Sequence, residues 1–220
     1  MSDLSNSRAL QTRLELFVGP LAMANQRLFE HPDQPRLIPD LLVFCHQVIR
    51  AGVPLLELAR DRARVLADPV SRLLATYLAD HVEEERGHDE WLLADLAHAG
   101  LAPADVLARI PSPRTAALVG AQYYWIQHEH PVSILGYLMV VEGRALDPAL
   151  IDQMQDRSGL PAAAFRTARE HARLDLAHAG ELAQILDALP LTRAHTALLG
   201  LSLLHTVSSF AQCIGDLVPG

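Results

Sequence analysis

The segment His171-Ala-Arg-Leu-Asp175-Leu-Ala-His178 carries two imidazoles and a carboxylate at a spacing that suits a metal ion. A helix turning about 100° per residue gathers these three side chains within an arc of roughly 60°, forming a row of ligands. Two other stretches could complete the set. Glu85-Arg-Gly-His88 is a carboxylate-x-x-His pair, and Glu142 stands alone at the end of the apolar run Ile134-Leu-Gly-Tyr-Leu-Met-Val-Val-Glu142. Leu135, Leu138 and Met139 share the helical face of Glu142, so its carboxylate is expected to be buried. Burial of that kind costs several kcal/mol unless the charge is paired or bound to a metal. Three carboxylates and three imidazoles on three helices suffice for two metal ions.

Each element of this constellation also has a plainer reading. Arg169, Glu170, Arg173 and Glu181 give the 171–178 stretch a polar side, Glu142 could pair with an arginine, and the charge-rich run from His81 to Trp91 could be a solvated helix face. What favours a metal is the combination. Carboxylate-x-x-His recurs at Glu85/His88 and Asp175/His178, and two such pairs with carboxylates from other helices are the way helical bundles build di-iron centres. Imidazoles and carboxylates without thiolates suit iron, whereas a structural zinc site would favour cysteine. His81 and Glu84 lie close to the face of His88, so either could replace Glu85 as a ligand or act behind one.

Bringing these residues together requires several helices. Apolar residues recur at helical spacing and alternating β-branched runs are scarce, which predicts an all-α fold. Proline and glycine punctuation divides it into helices near 4–29, 36–66, 69–98, 103–109, 113–128, 132–146, 148–156, 161–187 and 191–215. The 220 residues, 50% of them apolar, are enough for one domain spanning 1–220 with a sizeable core. Cys45 and Cys213 are far apart in apolar surroundings, so neither a disulfide framework nor a cysteine metal site is expected. A cytoplasmic setting follows as the expectation, and the sequence shows neither a signal core nor an uninterrupted apolar stretch approaching membrane-spanning length.

Composition removes several function classes. The net charge of −8 speaks against nucleic acid as a partner, which would call for a basic face. All 18 cationic side chains are Arg. With no lysine, Schiff-base and pyridoxal-phosphate chemistry is excluded, and any anionic substrate group must be held by arginine, whose planar fork suits a carboxylate. Arg144 lies just past Glu142, while Arg86 and Arg173 flank ligands but point away from them. Tyr124 and His128, in the aromatic stretch Tyr123-Tyr-Trp-Ile-Gln-His-Glu-His130, could form a pocket wall, as could Leu138.

These motifs resemble the heme-oxygenase-like di-iron oxidases and oxygenases, a family of iron-containing redox enzymes. The pattern of that family is a Glu and a His on one core helix, a lone Glu on a later helix and His-x-x-x-Asp-x-x-His on a third. Here Glu85/His88, Glu142 and His171/Asp175/His178 occur in that order, and the passage from Tyr124 to Gly143 is similar to the segment leading into the lone Glu. The resemblance covers about 70–187. It implies a heme-oxygenase-like bundle of seven or eight helices, often a homodimer, holding two Fe ions that activate O2 at a core site. It further implies an oxidoreductase acting on a small molecule such as an amino acid, amine or fatty acid, in specialised metabolism. The branch that consumes its own side chains relies on a lysine and is out of reach. Two alternatives differ in kind: a metal-free hydrolase like the thiaminase-like relatives, with Cys213 as nucleophile, and a non-catalytic metal-binding protein.

Overall fold

The structure, a computed structural model, describes residues 4–143 and 145–219. Among the described residues there are eleven α-helices, two short 3-10 segments and no strand. The helices are α1 (Asn6–Phe17), α2 (Gly19–Glu30), α3 (Gln34–Leu66), α4 (Pro69–Glu85), α5 (His88–His98), α6 (Pro103–Ala108), α7 (Pro113–His128), α8 (Ile134–Val141), α9 (Pro148–Ser158), α10 (Arg166–Ala188) and α11 (Arg193–Leu217). Many begin where the punctuation predicts. Asp68, Ser112 and Asp147 each accept a backbone N–H of the first turn while the following proline occupies the first helical position, where its missing donor costs nothing.

Three predicted helices end sooner or divide. The expected rod 4–29 is cut at Val18, and Pro20 opens the first turn of α2. The helix expected to end at 146 stops at Val141. The division that matters most separates α4 from α5. Arg86 adopts extended backbone (φ −63°, ψ 120°), and Gly87 has φ 89°, a left-handed conformation that glycine adopts without penalty. Glu85 therefore closes one helix and His88 opens the next.

The bundle is organised around its two longest helices. α4, α5, α7 and α9 pack on α3, and α1, α2, α7 and α8 pack on α11. By length and apolarity alone these two helices could span a bilayer, a pattern that Pro39 and Pro54 obscure in the first of them. Here their apolar faces form the core, with Ile38, Leu55, Ala59, Leu203 and Val207 almost wholly buried.

Gly136 sets how closely α8 approaches α11. A Cβ there would lie 2.5 Å from the Leu199 carbonyl oxygen and 2.9 Å from Ser202 Cβ. Ser202 cannot easily yield, because its hydroxyl donates to buried Gln122 Oε1 at 2.9 Å. Gly136→Ala is expected to cost about 1–3 kcal/mol, the usual penalty for overpacking. Urea unfolding measures this, and an unchanged midpoint would show that the two helices can part freely.

Candidate metal centre

α4 presents Tyr77, His81 and Glu85 at successive turns of one face. His81 is 1% exposed, and its ring stacks on Tyr77 at 5.4 Å between centroids. Because the chain turns at Gly87 directly after Glu85, His88 comes back onto the same site, and its Nδ1 donates to Glu85 Oε2 at 3.0 Å. The His88 ring also lies against Trp91, at 4.2 Å between centroids.

α10 contributes His171, Asp175 and His178 from one face, as the spacing predicts. Asp95, buried on α5, accepts the Thr167 backbone N–H at 2.6 Å and so fixes the first turn of α10. Thr167 in turn accepts His171 Nδ1–H at its carbonyl, at 3.0 Å. With the proton on Nδ1, the lone pair of His171 sits on Nε2, which is the state a metal ligand requires.

Glu142 comes from the end of α8. Its N–H and that of Gly143 both reach the Leu138 carbonyl, at 2.9 and 3.2 Å, a tight wind-down of the helix. A Cβ at position 143 would overlap the Met139 carbonyl oxygen, so the turn that carries Glu142 requires glycine next to it.

These side chains converge as two imidazole pairs with carboxylates between them. His88 and His171 form one pair at 4.8 Å between ring centroids, and His81 and His178 form the other at 5.0 Å. Glu85 reaches both pairs, with Oε2 on His88 Nδ1 and Oε1 at 3.7 Å from His178 Nδ1. Glu142 Oε2 is 2.9 Å from His81 Nε2 and 3.7 Å from His178 Nδ1, and Asp175 Oδ1 is 4.0 Å from the same nitrogen. Glu85, His88 and His171 are close enough to share one ion, and so are His81, Glu85 and Glu142.

The electrostatics show a centre short of positive charge. Burial raises the Asp175 carboxyl, and the nearby Glu142 and Glu85 raise it further, to about 8. Burial lowers the His81 imidazole, but Glu142, then Glu85 and Glu84, more than offset this and bring it to about 9. Burial and the same carboxylates also push the Tyr77 hydroxyl upward. Hydrogen bonding fails to complete the arrangement. Ten buried side-chain polar atoms lack a hydrogen-bond partner among the described residues, and five of them are here: both His81 ring nitrogens, Glu85 Oε1, Asp175 Oδ1 and His178 Nδ1. His81 and Glu142 are close, but their contact lacks hydrogen-bond alignment. Unpaired buried donors and acceptors each cost about 1–3 kcal/mol, so their concentration at one point calls for a cation.

The structure thus brings together all six expected ligands, with Glu85 and His88 on separate helices instead of one. His81, expected as a substitute for Glu85, occupies the centre beside it. Its spacing one turn before Glu85 was the signal, masked by the surrounding charge. Glu84 is half exposed on the outer side of His81 and His178. Tyr124 and His128, expected as a pocket wall, lie exposed on α7 with their rings tilted against each other, 4.7 Å between centroids. Leu138 is buried in α8, where its carbonyl holds the turn. Arg144 lies outside the described residues. Arg86 and Arg173 pair with Glu83 and Glu170 at the surface, which leaves neither directed at the centre.

Cys213 is not the activated nucleophile that metal-free hydrolysis needs. It is 4% exposed, accepts a hydrogen bond from Thr115 Oγ1 at 3.9 Å, and burial holds its thiol above the ordinary value. Cys45 is likewise raised by burial, to about 11.

A heme-oxygenase-like helical fold with a core of imidazoles and carboxylates defines the class. Two solved structures share that fold. One, from Shewanella denitrificans OS217, is described as a domain of unknown function with a heme oxygenase-like fold; it matches at TM-score 0.81 and 18% identity, over 98% of this chain and 93% of its own. The other, a TenA homolog from Pseudomonas syringae pv. tomato DC3000, matches at TM-score 0.68 and 13% identity, over 93% and 92%. No curated protein matches the chain in sequence. The sequence pattern of the iron-containing redox enzymes matches residues 56–203, and the chain belongs to that family.

Proposed function

We propose that this protein is a non-heme di-iron oxidoreductase that uses O2 to oxidise a small metabolite. The observation that carries this reading is the position of Glu85, whose two oxygens face opposite imidazole pairs as a bridging carboxylate would. The donors fit iron, being imidazole and carboxylate with no thiolate among them. His88 and His171 would hold one ion, and His81, Glu142 and His178 the other. Glu85 would span both, with Asp175 completing the set.

Bound iron would supply the electrons that reduce O2 and the oxidising power turned on the substrate. The chain's own residues prepare for this. The Asp95–Thr167–His171 relay holds the Nε2 lone pair of His171 inward, and the turn that closes α8 delivers the Glu142 carboxylate to His81 and His178. The proton held on Asp175 must leave before that carboxylate can ligate. The family membership supports iron and redox chemistry in general. The site geometry supports two ions in particular.

Anaerobic loading with ferrous iron, followed by metal analysis and measurement of O2 uptake, tests the reading. Two irons per chain and O2 consumption are expected. Saturation at one iron would rule out the two-metal centre, and two irons without O2 uptake would favour the non-catalytic alternative.

A further inference from the structure

We propose that Glu84 is a positioning residue, holding the His81 and His178 imidazoles from outside so that their opposite nitrogens face the second metal. The inference rests on the two-metal reading above. One oxygen of Glu84, Oε2, lies 3.6 Å from His81 Nδ1 and 3.7 Å from His178 Nε2. The other nitrogen of each ring faces Glu142 Oε2, at 2.9 Å for His81 Nε2 and 3.7 Å for His178 Nδ1. Two rings at 77° to one another are thus spanned by one carboxylate oxygen on the solvent side and one on the buried side.

A neutral imidazole that donates from one nitrogen offers its lone pair at the other. Glu84 accepts only, so its position selects Nδ1–H for His81 and Nε2–H for His178 and places both lone pairs inward. At 3.6–3.7 Å the contacts exceed hydrogen-bond length. Closing them takes a small rotation of an exposed side chain, as happens when sites tighten around a bound group. Carboxylates behind metal-bound imidazoles orient the ring in this way.

Glu84, His81 and His178 are also close enough together to chelate an ion themselves. Energetics decide against that arrangement. It would consume the two nitrogens on the outer side, where Glu84 is 48% exposed and already solvated, and leave Glu142 and Asp175 uncompensated inside. An uncompensated buried carboxylate costs several kcal/mol, whereas a hydrated surface one costs almost nothing.

The test is anaerobic Co(II) titration of the full chain, wild type against Glu84→Ala and Glu84→Gln, followed by absorption and metal content. The first metal is expected to bind with unchanged affinity, and the second to weaken about 10–100-fold in Glu84→Ala. Glu84→Gln is expected to fall between the two, since its amide oxygen can still accept. Melting temperatures of the metal-free proteins should differ by no more than a few degrees, because Glu84 is half exposed and its contacts to the two rings exceed hydrogen-bond length. In the zinc-loaded wild type, imidazole nitrogen NMR should show His81 as the Nδ1–H and His178 as the Nε2–H tautomer, a pattern that Glu84→Ala should blur. Wild-type affinity for both metals in Glu84→Ala would overturn the proposal alone. Complete loss of the second metal in both variants, at any cobalt concentration, would make Glu84 a ligand and overturn it too. A wild-type chain that saturates at one metal would overturn the two-metal reading and the proposal with it.

Discussion

If the centre holds two irons as proposed, replacing Glu85 by Ala is expected to remove both at once, while replacing a ligand from either imidazole pair should weaken chiefly one. Among the described residues, Glu85 alone presents an oxygen to each pair, at 3.0 Å to His88 and 3.7 Å to His178. Its loss should cost more than about 100-fold in affinity, beyond the 10–100-fold typical of residues that only orient a ligand. The fold should survive, since Glu85 is the last residue of α4 and the apolar anchors of that helix, Leu74, Leu78 and Val82, lie upstream. Ferrous iron content after dialysis, read beside the helical circular dichroism signal, measures both. Near-stoichiometric iron in Glu85→Ala would mean that the two ions are held independently and that no carboxylate joins them.

Asp175→Asn is expected to move stability and metal binding in opposite directions. Burial first, and then the Glu142 and Glu85 charges, raise the Asp175 carboxyl from 3.8 to about 8 in the folded chain. The folded state therefore holds this proton more tightly than the unfolded one. The stability that Asp175 contributes is complete below 3.8 and is lost as pH rises through about 8. His81 acts in the same sense, from 6.5 to about 9. Metal-free wild type should thus lose stability between these limits, and metal should restore it by taking the place of the protons. Asn cannot ionise, so metal-free Asp175→Asn should exceed wild type by on the order of 1–3 kcal/mol at pH 8–9, with a shallower slope. Its second metal should bind at least about 10-fold more weakly. Urea unfolding across pH, with and without metal, reads both effects. Parallel stability profiles for the two proteins would show that Asp175 carries no strained charge.

Much of this site was legible in the sequence because helical spacing is a strong constraint. His171, Asp175 and His178 converge as their periodicity requires, and Glu142, expected to be buried among its apolar neighbours, is largely but not wholly covered, with its side chain 13% exposed. The break at Gly87 was harder to read, since a single glycine inside a periodic pattern is often tolerated in a continuous helix. It is revealed only by the positive φ that the packing of α5 imposes. His81 was underrated for a similar reason. Among Glu83, Glu84, Glu85 and Arg86 it reads as part of a solvated face, and only the approach of α10 and of Glu142, just past α8, shows that this turn of α4 faces inward. The arginine anchor was legible as a residue type and not as a position. Composition says which residue type must hold an anion, but not where, and Arg86 and Arg173 are engaged by neighbours one turn away.

The helices that meet at the centre are far apart in sequence, with α4 and α5 contributing before residue 90, α8 near 142 and α10 beyond 170. This distance bears on the order of events when the chain folds. Before the bundle closes, the two longest-separated groups of donors are independent pieces of chain, and no local segment offers more than part of either ligand set. Gly136 must already be seated against α11, and Asp95 against Thr167, for Glu142 and His171 to arrive where they do. Iron is therefore expected to enter a largely formed scaffold rather than to nucleate it. A chain of this design is expected to fold while the metal is scarce, at a stability that metal then raises, and its content of iron would record supply.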